Sequence, residues 1–356
     1  MILKKKTIVA LLLVPQFFLV KLLSRFPEFV EAYYSRGIYV YVSKFLRWTL
    51  GGLPLSFGDL MYGFVLVFVF WWLVRHRRRF VSDTKAWFID VFAFVSIIYF
   101  AFHLCWGLNY YRVPLYKTLN LKASYTTAQL VEVSERLIQK ANAIYVQIAT
   151  HDSLMIEVPY TKLDLLKRAP EGYLALGDVF SNLEYEPVSV KKSMFSLPLT
   201  YMGFSGYLNP WFNEAQVNSC IPVYKFATTT THEIAHQLGF AAENEANFIG
   251  FLAAINNSDI YFKYCGYTFG LKYCLNEIYR RDKARYHAVV KELHPGVLKN
   301  YEEVRLFWQS HQNPAEPFFK SFYSGFLKAN KQSKGIASYS YVVALLVNYI
   351  DKHGVI

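Results

Sequence analysis

The first 108 residues contain three long apolar segments, and such segments must lie in a bilayer or in an unusually large core. They run over about 7–23, 53–74 and 87–108. About 20 apolar residues cross a typical hydrocarbon layer, so the second and third are long enough and the first is marginal. The sequence therefore predicts a membrane region of three transmembrane helices over 1–108, followed by a separate domain over 109–356.

The composition agrees with a membrane protein. Of the 356 residues, 54% are hydrophobic and only 18% are charged, whereas about a quarter is usual in soluble domains. Residues 1–86 hold 13 Lys and Arg against 4 Asp and Glu, and the rest of the chain is nearly balanced. Because a nucleic-acid-binding protein carries its basic surplus on its folded domain, this distribution excludes nucleic acid and favours the lipid bilayer as partner.

The basic clusters also predict the orientation of the spans. One cluster lies at 4–6 and the other at 75–85, and both belong in the cytoplasm by the positive-inside rule. Three spans then place everything after residue 108 outside the cytoplasm of a multi-pass cell-membrane protein. The first segment could instead be a secretory signal, but no small-residue cleavage site follows it, so an uncleaved anchor is expected.

Further along the chain, apolar spacing predicts helices over 130–148, with Thr126 or Thr127 as cap, and over 342–350. The stretch 196–223 is rich in Tyr, Phe, Gly, Pro and Asn, which predicts short strands and turns.

One motif carries chemistry. Four threonines at 228–231 precede His232-Glu233-Ile-Ala-His236, and Gly239 follows where a helix would end. On a helix, residues four apart share a face, so both imidazoles can reach one metal ion. Glu233 is offset and can act as general base toward a metal-activated water. So short a motif also arises by chance, and it then describes only a helix with two partly buried histidines and a solvated glutamate.

A catalytic zinc site needs a third protein ligand and an open position for water. Two carboxylates compete for that place, Glu243 and Glu245. They lie about 200° apart around a helix, so only one can face the metal. Asn247 lies one turn after Glu243 and could hydrogen-bond a ligating histidine, whereas apolar Ile249 follows Glu245. Glu243 is therefore the predicted ligand, with Glu245 as the alternative.

Six blocks of the sequence carry a resemblance to a known family. They are 53–62, 205–210, 214–218, 232–240, 243–252 and 337–346. In these blocks the chain resembles an uncharacterised bacterial family of multi-pass membrane proteins with a zincin-like outer domain, catalogued as a domain of unknown function. The resemblance implies a mainly α fold, in which N-terminal transmembrane helices precede a zincin-like metallopeptidase domain with a small β-sheet. It implies no substrate.

In zincins the segment before the metal helix often forms an edge strand that holds the peptide by strand addition, and 215–224 is predicted to be that strand. Glu214 and Asn218 either orient substrate or cap turns. Cys265 and Cys274 are either disulfide-bonded or free buried thiols.

Together these features predict a membrane-anchored zinc metallopeptidase that acts on peptides or proteins of the cell envelope. Zn²⁺ is held by His232, His236 and Glu243, and Glu233 is the general base. A transition-state stabiliser is also expected, but 28 tyrosines leave no basis for choosing one. Two other functions stay open. A zinc-stabilised envelope scaffold would not need Glu233, and a sensor would need a cytoplasmic effector larger than the loop at 75–86.

Overall fold

A computed structural model describes residues 2–151, 153–177, 180, 183–330 and 339–354 of the chain. Within these ranges, three helices are long and apolar enough to cross a membrane: Lys5–Leu23, Phe57–Arg75 and Thr84–Cys105. They match the predicted segments and support membrane association. The second starts at Phe57 rather than residue 53, because the Ser56 hydroxyl accepts a hydrogen bond from the Asp59 amide and caps the helix there.

The helices of the membrane region follow one another closely. They are α1 (Ile2–Leu11), α2 (Leu13–Leu23), α3 (Pro27–Phe29), a π-helical segment (Val30–Ile38), α4 (Tyr39–Leu50), α5 (Phe57–Arg75), α6 (Arg79–Ser82) and α7 (Thr84–Cys105). Helices α1 and α2 together form the first span and pack along α7. Asp90 of α7 accepts hydrogen bonds from Lys6 and Arg79, at 2.8 and 3.1 Å, so the two basic clusters meet at one end of the spans.

The remaining helices build the second half of the molecule. They are a 3₁₀ turn (Gly107–Tyr111), α8 (Leu115–Thr118), α9 (Thr127–Ile148), α10 (Lys162–Gly177), α11 (Ser196–Met202), α12 (Val223–Gln237), α13 (Glu243–Asn256), α14 (Ile260–Arg281), α15 (Lys283–Val290), α16 (Pro295–Ser310), α17 (Glu316–Ala329) and α18 (Tyr339–His353). The predicted cap is confirmed, since Thr126 and Gln129 form a capping box at the start of α9. The mainly helical architecture is confirmed as well; positions 337 and 338 of the last resemblance block lie outside the described residues.

The core of this half is a stack of helices. Helix α12 packs on α13, α13 on α14, and α14 on α9, with α10 and α18 on the flanks. Gly172 in α10 allows a close approach, because a Cβ there would lie 1.9 Å from the Ala253 carbonyl oxygen of α13. Apolar side chains from all these helices form one continuous core, which fixes α12 and α13 relative to each other.

A small sheet covers one side of α12. Its strands are β1 (Val190–Lys192), β2 (Gly206–Asn209) and β3 (Glu214–Val217), in the order β1-β3-β2. Strand β3 is parallel to β1 and antiparallel to β2. The prediction of an edge strand over 215–224 is therefore wrong. Strand β3 is the fully buried central strand, it ends at Val217, and α12 has begun by Val223.

The segment between the first two spans packs into the second half of the molecule. The Tyr39 hydroxyl donates to the Gln237 carbonyl at 2.7 Å, and Lys191 donates to the Leu50 carbonyl at 2.7 Å. A second, smaller core joins α2, the π-helical segment and the turn after α7. The ends of the membrane-length helices that lie away from the basic clusters are thus built into the domain that follows them.

Candidate metal centre

The candidate metal centre starts from a tight connection between two helices. Gly239 follows α12 with a φ of +86°, a left-handed conformation that ends the helix and turns the chain toward α13. The Phe240 amide donates back to the Ala235 carbonyl, which completes this cap. As a result Glu243, the first residue of α13, returns to the face of α12 that carries His232 and His236.

Four side chains converge there. Ligand atoms of His232, Glu233 and His236 lie within 4.8 Å of one another. The Glu243 carboxylate lies between the two imidazoles, with Oε2 3.4 Å from His232 Nε2 and Oε1 3.6 Å from His236 Nε2. Gly250 makes this approach possible, since a Cβ at that position would lie 2.9 Å from the His232 amide nitrogen.

The competing carboxylate, Glu245, lies elsewhere. It is buried and accepts a hydrogen bond from the Leu115 amide at 2.7 Å, where α8 begins. Burial raises the pKa of Glu245 to about 7, although that hydrogen bond acts in the opposite direction. Of the two predicted candidates, only Glu243 contacts the histidines.

Asn247 does not make the hydrogen bond predicted for it. His236 Nδ1 pairs instead with the Phe240 carbonyl at 2.7 Å, and His232 Nδ1 is buried with no partner among the described residues. A carbonyl can only accept, so His236 carries a proton on Nδ1, and its Nε2 faces the Glu243 carboxylate. A metal-ligating histidine is commonly oriented in this way.

Burial and mutual interactions shift the pKa values of all four side chains in the cluster. Burial raises the pKa of Glu233 to about 8 and lowers that of His232. Burial would also lower the pKa of His236, but its hydrogen bond with Glu243 and the nearby carboxylates raise it to about 9. Burial opposes ionisation of Glu243 too, yet hydrogen bonds from both histidines hold its pKa well below the usual range. Glu243 is therefore an ionised carboxylate, 23% exposed, whose charge is balanced by the histidines beside it.

These residues fit a divalent metal ion. Two imidazoles and one carboxylate are the donor set of many catalytic zinc sites. Buried Glu233 Oε2 has no hydrogen-bond partner among the described residues, which is rare for a buried polar atom. A cation between His232, His236 and Glu243 would take the place of the proton that His236 otherwise holds.

Strand β2 borders the cluster on the side of Glu233. A Cβ on Gly206 would lie 2.7 Å from Glu233 Oε1 and 2.7 Å from the Gln216 carbonyl oxygen of β3. Glycine is therefore needed where the strand passes the carboxylate. Among the described residues β2 pairs with β3 alone, so this strand is the sheet edge next to Glu233.

One residue of the site was not predicted from the sequence. The Tyr323 hydroxyl in α17 donates to Glu243 Oε1 at 2.6 Å, and the Tyr323 ring contacts Phe204. Tyr323 lies 80 positions from Glu243 in an aromatic-rich helix, and no local signal separates it from its neighbours.

Glu214 and Asn218 are both completely buried. Glu214 pairs with Lys191 at 2.5 Å and accepts from the Gly58 amide at 2.6 Å, at the start of α5. Asn218 accepts from the Cys220 amide at 2.9 Å, which closes a local turn. Of the two alternatives, their contacts support a structural role rather than substrate binding.

Of the two alternatives predicted for Cys265 and Cys274, the structure shows free buried thiols. Cys265 and Cys274 are free and buried, nine residues apart on the single helix α14. Nine residues of helix span about 13.5 Å, too far for a disulfide.

The C-terminal end of α12 contacts residues that follow or connect the membrane-length helices. Trp106, directly after α7, donates its indole N–H to the His236 carbonyl at 3.1 Å. Arg112 donates to the Gly239 carbonyl at 3.0 Å and pairs with Glu31 of the π-helical segment at 2.7 Å. The candidate centre thus lies immediately beside the C-terminal end of α7.

The chain combines three helices long enough to cross a membrane with a mainly helical domain that carries a His–Glu cluster. The family described as "Protein of unknown function (DUF3810)" matches residues 34–347, and the chain belongs to that family. No curated protein and no solved structure matches the chain. The predicted resemblance to a family of unknown function is confirmed, while the family description assigns no activity.

Proposed function

We propose that this protein is a membrane-anchored zinc metallopeptidase. The observation that carries the proposal is the convergence of Glu243 on two histidines of one helix face, at 3.4 and 3.6 Å, with Glu233 beside them. Chance occurrence of the sequence motif would not bring in a third ligand from another helix. A scaffold would also have no use for a buried carboxylate oxygen without a partner.

Zinc would be held by His232, His236 and Glu243, the donor set of a catalytic rather than a closed structural site. When bound, it supplies a Lewis acid that lowers the pKa of a water in the open position.

Glu233 performs the proton transfers. A cation held by the three ligands would favour the ionised form of Glu233, so that its Oε2 can take a proton from water. The water oxygen would then attack the peptide carbonyl carbon, and the C–N bond would break as Glu233 returns the proton to the leaving amine. The free edge of β2 suits an extended peptide, because main-chain hydrogen bonds along it would align the scissile bond with Glu233. The Tyr323 hydroxyl is the nearest side-chain donor to Glu243 in the described structure and would stabilise charge on the carbonyl oxygen.

The basic clusters at 4–6 and 75–85 support an extracytoplasmic position for the centre. Its substrates would then be peptides or proteins of the cell envelope.

Glu233→Gln tests the mechanism, because glutamine keeps the shape but cannot accept the proton. We expect the purified full-length variant to keep about one zinc per chain and to lose peptide cleavage by at least about 100-fold. Glu132→Gln on the exposed face of α9 is the matched control and should cleave like the wild type. Undiminished turnover in Glu233→Gln would refute the mechanism, and zinc binding without any wild-type turnover would favour the scaffold.

A further inference from the structure

Two helices present aromatic side chains to the outside of the molecule. Helix α4 exposes Tyr41, Phe45 and Trp48, by 62 to 77%, and α17 exposes Phe318 and Phe322, by 70 and 73%. We call these five side chains the aromatic face. In each helix they recur every three or four residues and so form one stripe. The opposite side of each helix packs inward, so the aromatic face is not part of the core.

Helix α4 is held at the outer ends of two spans by the chain itself. The first span ends at Leu23 and the second begins at Phe57, and α4 lies on the connection between them. Its buried side, which includes Tyr39 and Arg47, faces the outer domain. The exposed side is therefore turned outward at the level where two membrane helices end.

Helix α17 reaches the outer ends of the other spans. At its C-terminal half, the Phe326 ring lies 6.0 Å from Phe102, in the last turn of α7. Just before its N-terminal end, Asn313 donates to the Tyr201 carbonyl of α11 at 2.6 Å. At the other end of α11, the Met194 amide donates to Asp59 in the first turn of α5, at 2.7 Å. Contacts thus lead from α17 to the outer ends of both α5 and α7.

Aromatic side chains in this position fit one environment. A helix with an apolar stripe lies in the boundary between headgroups and acyl chains, where Trp and Tyr are enriched. Leaving the same rings in water would expose a large apolar area on a chain that already carries three apolar spans. A position in this boundary would place the aromatic face against lipid at the level where the spans end.

We propose that α4 and α17 lie in the outer boundary layer of the bilayer, with the aromatic face among the lipids, and that the metal centre therefore acts on peptide segments lying at the membrane surface. The second part rests on the proposed function; the first part does not.

The position of the centre leads to this substrate class. Tyr323, on the inward side of α17, contacts Glu243, and Trp106 at the end of α7 contacts the backbone of His236. The centre thus lies directly behind a helix that rests on the bilayer. A peptide held at the membrane surface by its own anchor needs no separate diffusion step, which raises its effective concentration.

The position of α4 and α17 in the bilayer can be tested without measuring peptide cleavage. Nitroxide labels at Phe45→Cys and Phe322→Cys, in a Cys105→Ala, Cys220→Ser full-length chain in lipid nanodiscs, report collisions with oxygen and with a water-soluble nickel chelate. Val146→Cys is the matched control, since it is 68% exposed and apolar but lies on α9, which packs on α14 to α16 and α18. We expect high oxygen and low chelate collision rates at positions 45 and 322, and the reverse at 146.

The proposed bilayer position would be refuted if the chelate collided with labels at 45 and 322 as often as with the label at 146. Low collision rates with both reagents would overturn it too, because they would indicate a protein partner. Normal zinc content in both labelled variants would show that the centre is intact.

The substrate class needs a second comparison. A peptide library is offered to the wild type once as soluble peptides and once with the same sequences attached to lipid in the nanodisc. We expect the attached form to be cleaved faster by roughly 100-fold at equal bulk concentration. Equal rates would overturn the substrate class and leave the peptidase standing. If neither form is cleaved, the proposed function is refuted. The collision data would still decide whether α4 and α17 lie in the bilayer.

Discussion

Glu243 lies between two histidines because only five residues separate α12 from α13, and it is the residue on which the ligand set depends. Glu243→Ala removes the carboxylate between the imidazoles, so we expect zinc to be lost at low chelator concentrations. Glu245→Ala removes the acceptor of the Leu115 amide instead, so it should keep its zinc and lose about 1–3 kcal/mol of stability. A chelator titration followed by zinc analysis separates the two variants. Loss of zinc from Glu245→Ala alone would contradict the assignment.

Gly206 is the residue at which strand β2 passes Glu233. Gly206→Ala would push a methyl group against the Glu233 carboxylate and the Gln216 carbonyl, each 2.7 Å away. We expect this overpacking to cost about 1–3 kcal/mol of stability and to displace Glu233, with a loss of cleavage while zinc is retained.

Gly325→Ala is the control for that change, because a Cβ there meets nothing within 4 Å among the described residues. Thermal unfolding and zinc content should show Gly325→Ala unchanged or slightly more stable. Wild-type activity in Gly206→Ala would mean that Glu233 tolerates a shift.

The site residues differ in how far the sequence could reveal them. His232, Glu233 and His236 follow from helical spacing, which is a local property. Glu243 needed the added expectation that a new helix starts at once after Gly239. The place of Tyr323 depends on a hydrogen bond from α17 to Glu243 at the start of α13, and that contact leaves no trace in the local sequence.

At the scale of elements, the approach of α12 and α13 creates the ligand set. Gly250→Ala would place a Cβ 2.9 Å from the His232 amide nitrogen, which is backbone and cannot move aside. We expect the helices to separate slightly, with about 1–3 kcal/mol lost in stability and weaker zinc retention. Thermal unfolding with and without added zinc measures both effects. Unchanged zinc retention in a destabilised variant would show that Glu243 follows the shift.

Long elements were easier to predict than short ones. The membrane helices and α9 have apolar patterns over 17 residues or more, so their positions follow from the sequence. The three strands have three or four residues each, and their order depends on distant pairing. For this reason the sequence predicts an edge strand at 215–224, although the edge strands are β1 and β2.

At the scale of the whole molecule, the orientation of the spans is the central expectation. A cysteine at Lys352, in a Cys220→Ser chain, should react with an impermeant thiol reagent on intact cells, because the positive-inside rule puts that end outside. Arg77→Cys in the basic loop between α5 and α6 is the control and should react only after lysis. Reaction of position 352 only after lysis would reverse the orientation and move the centre to the cytoplasm.

The sequence predicts a membrane region that ends at residue 108 and a separate domain after it. It does not predict that residues 24–56 pack against α12, because that packing joins positions almost 200 apart in the chain, such as Tyr39 and Gln237. Hydrophobic patterns identify which segments enter a bilayer, but not which loops return to a distant domain.

The buried carboxylate of Glu214 has a consequence for how such a protein can be regulated. Its partners include the Gly58 amide, which belongs to the first turn of a membrane helix. We therefore expect a single protease cut between α7 and the residues that follow it to leave both pieces associated, because Glu214 also holds the start of α5. Release of the second piece would then require disruption of the sheet as well as cleavage of the chain.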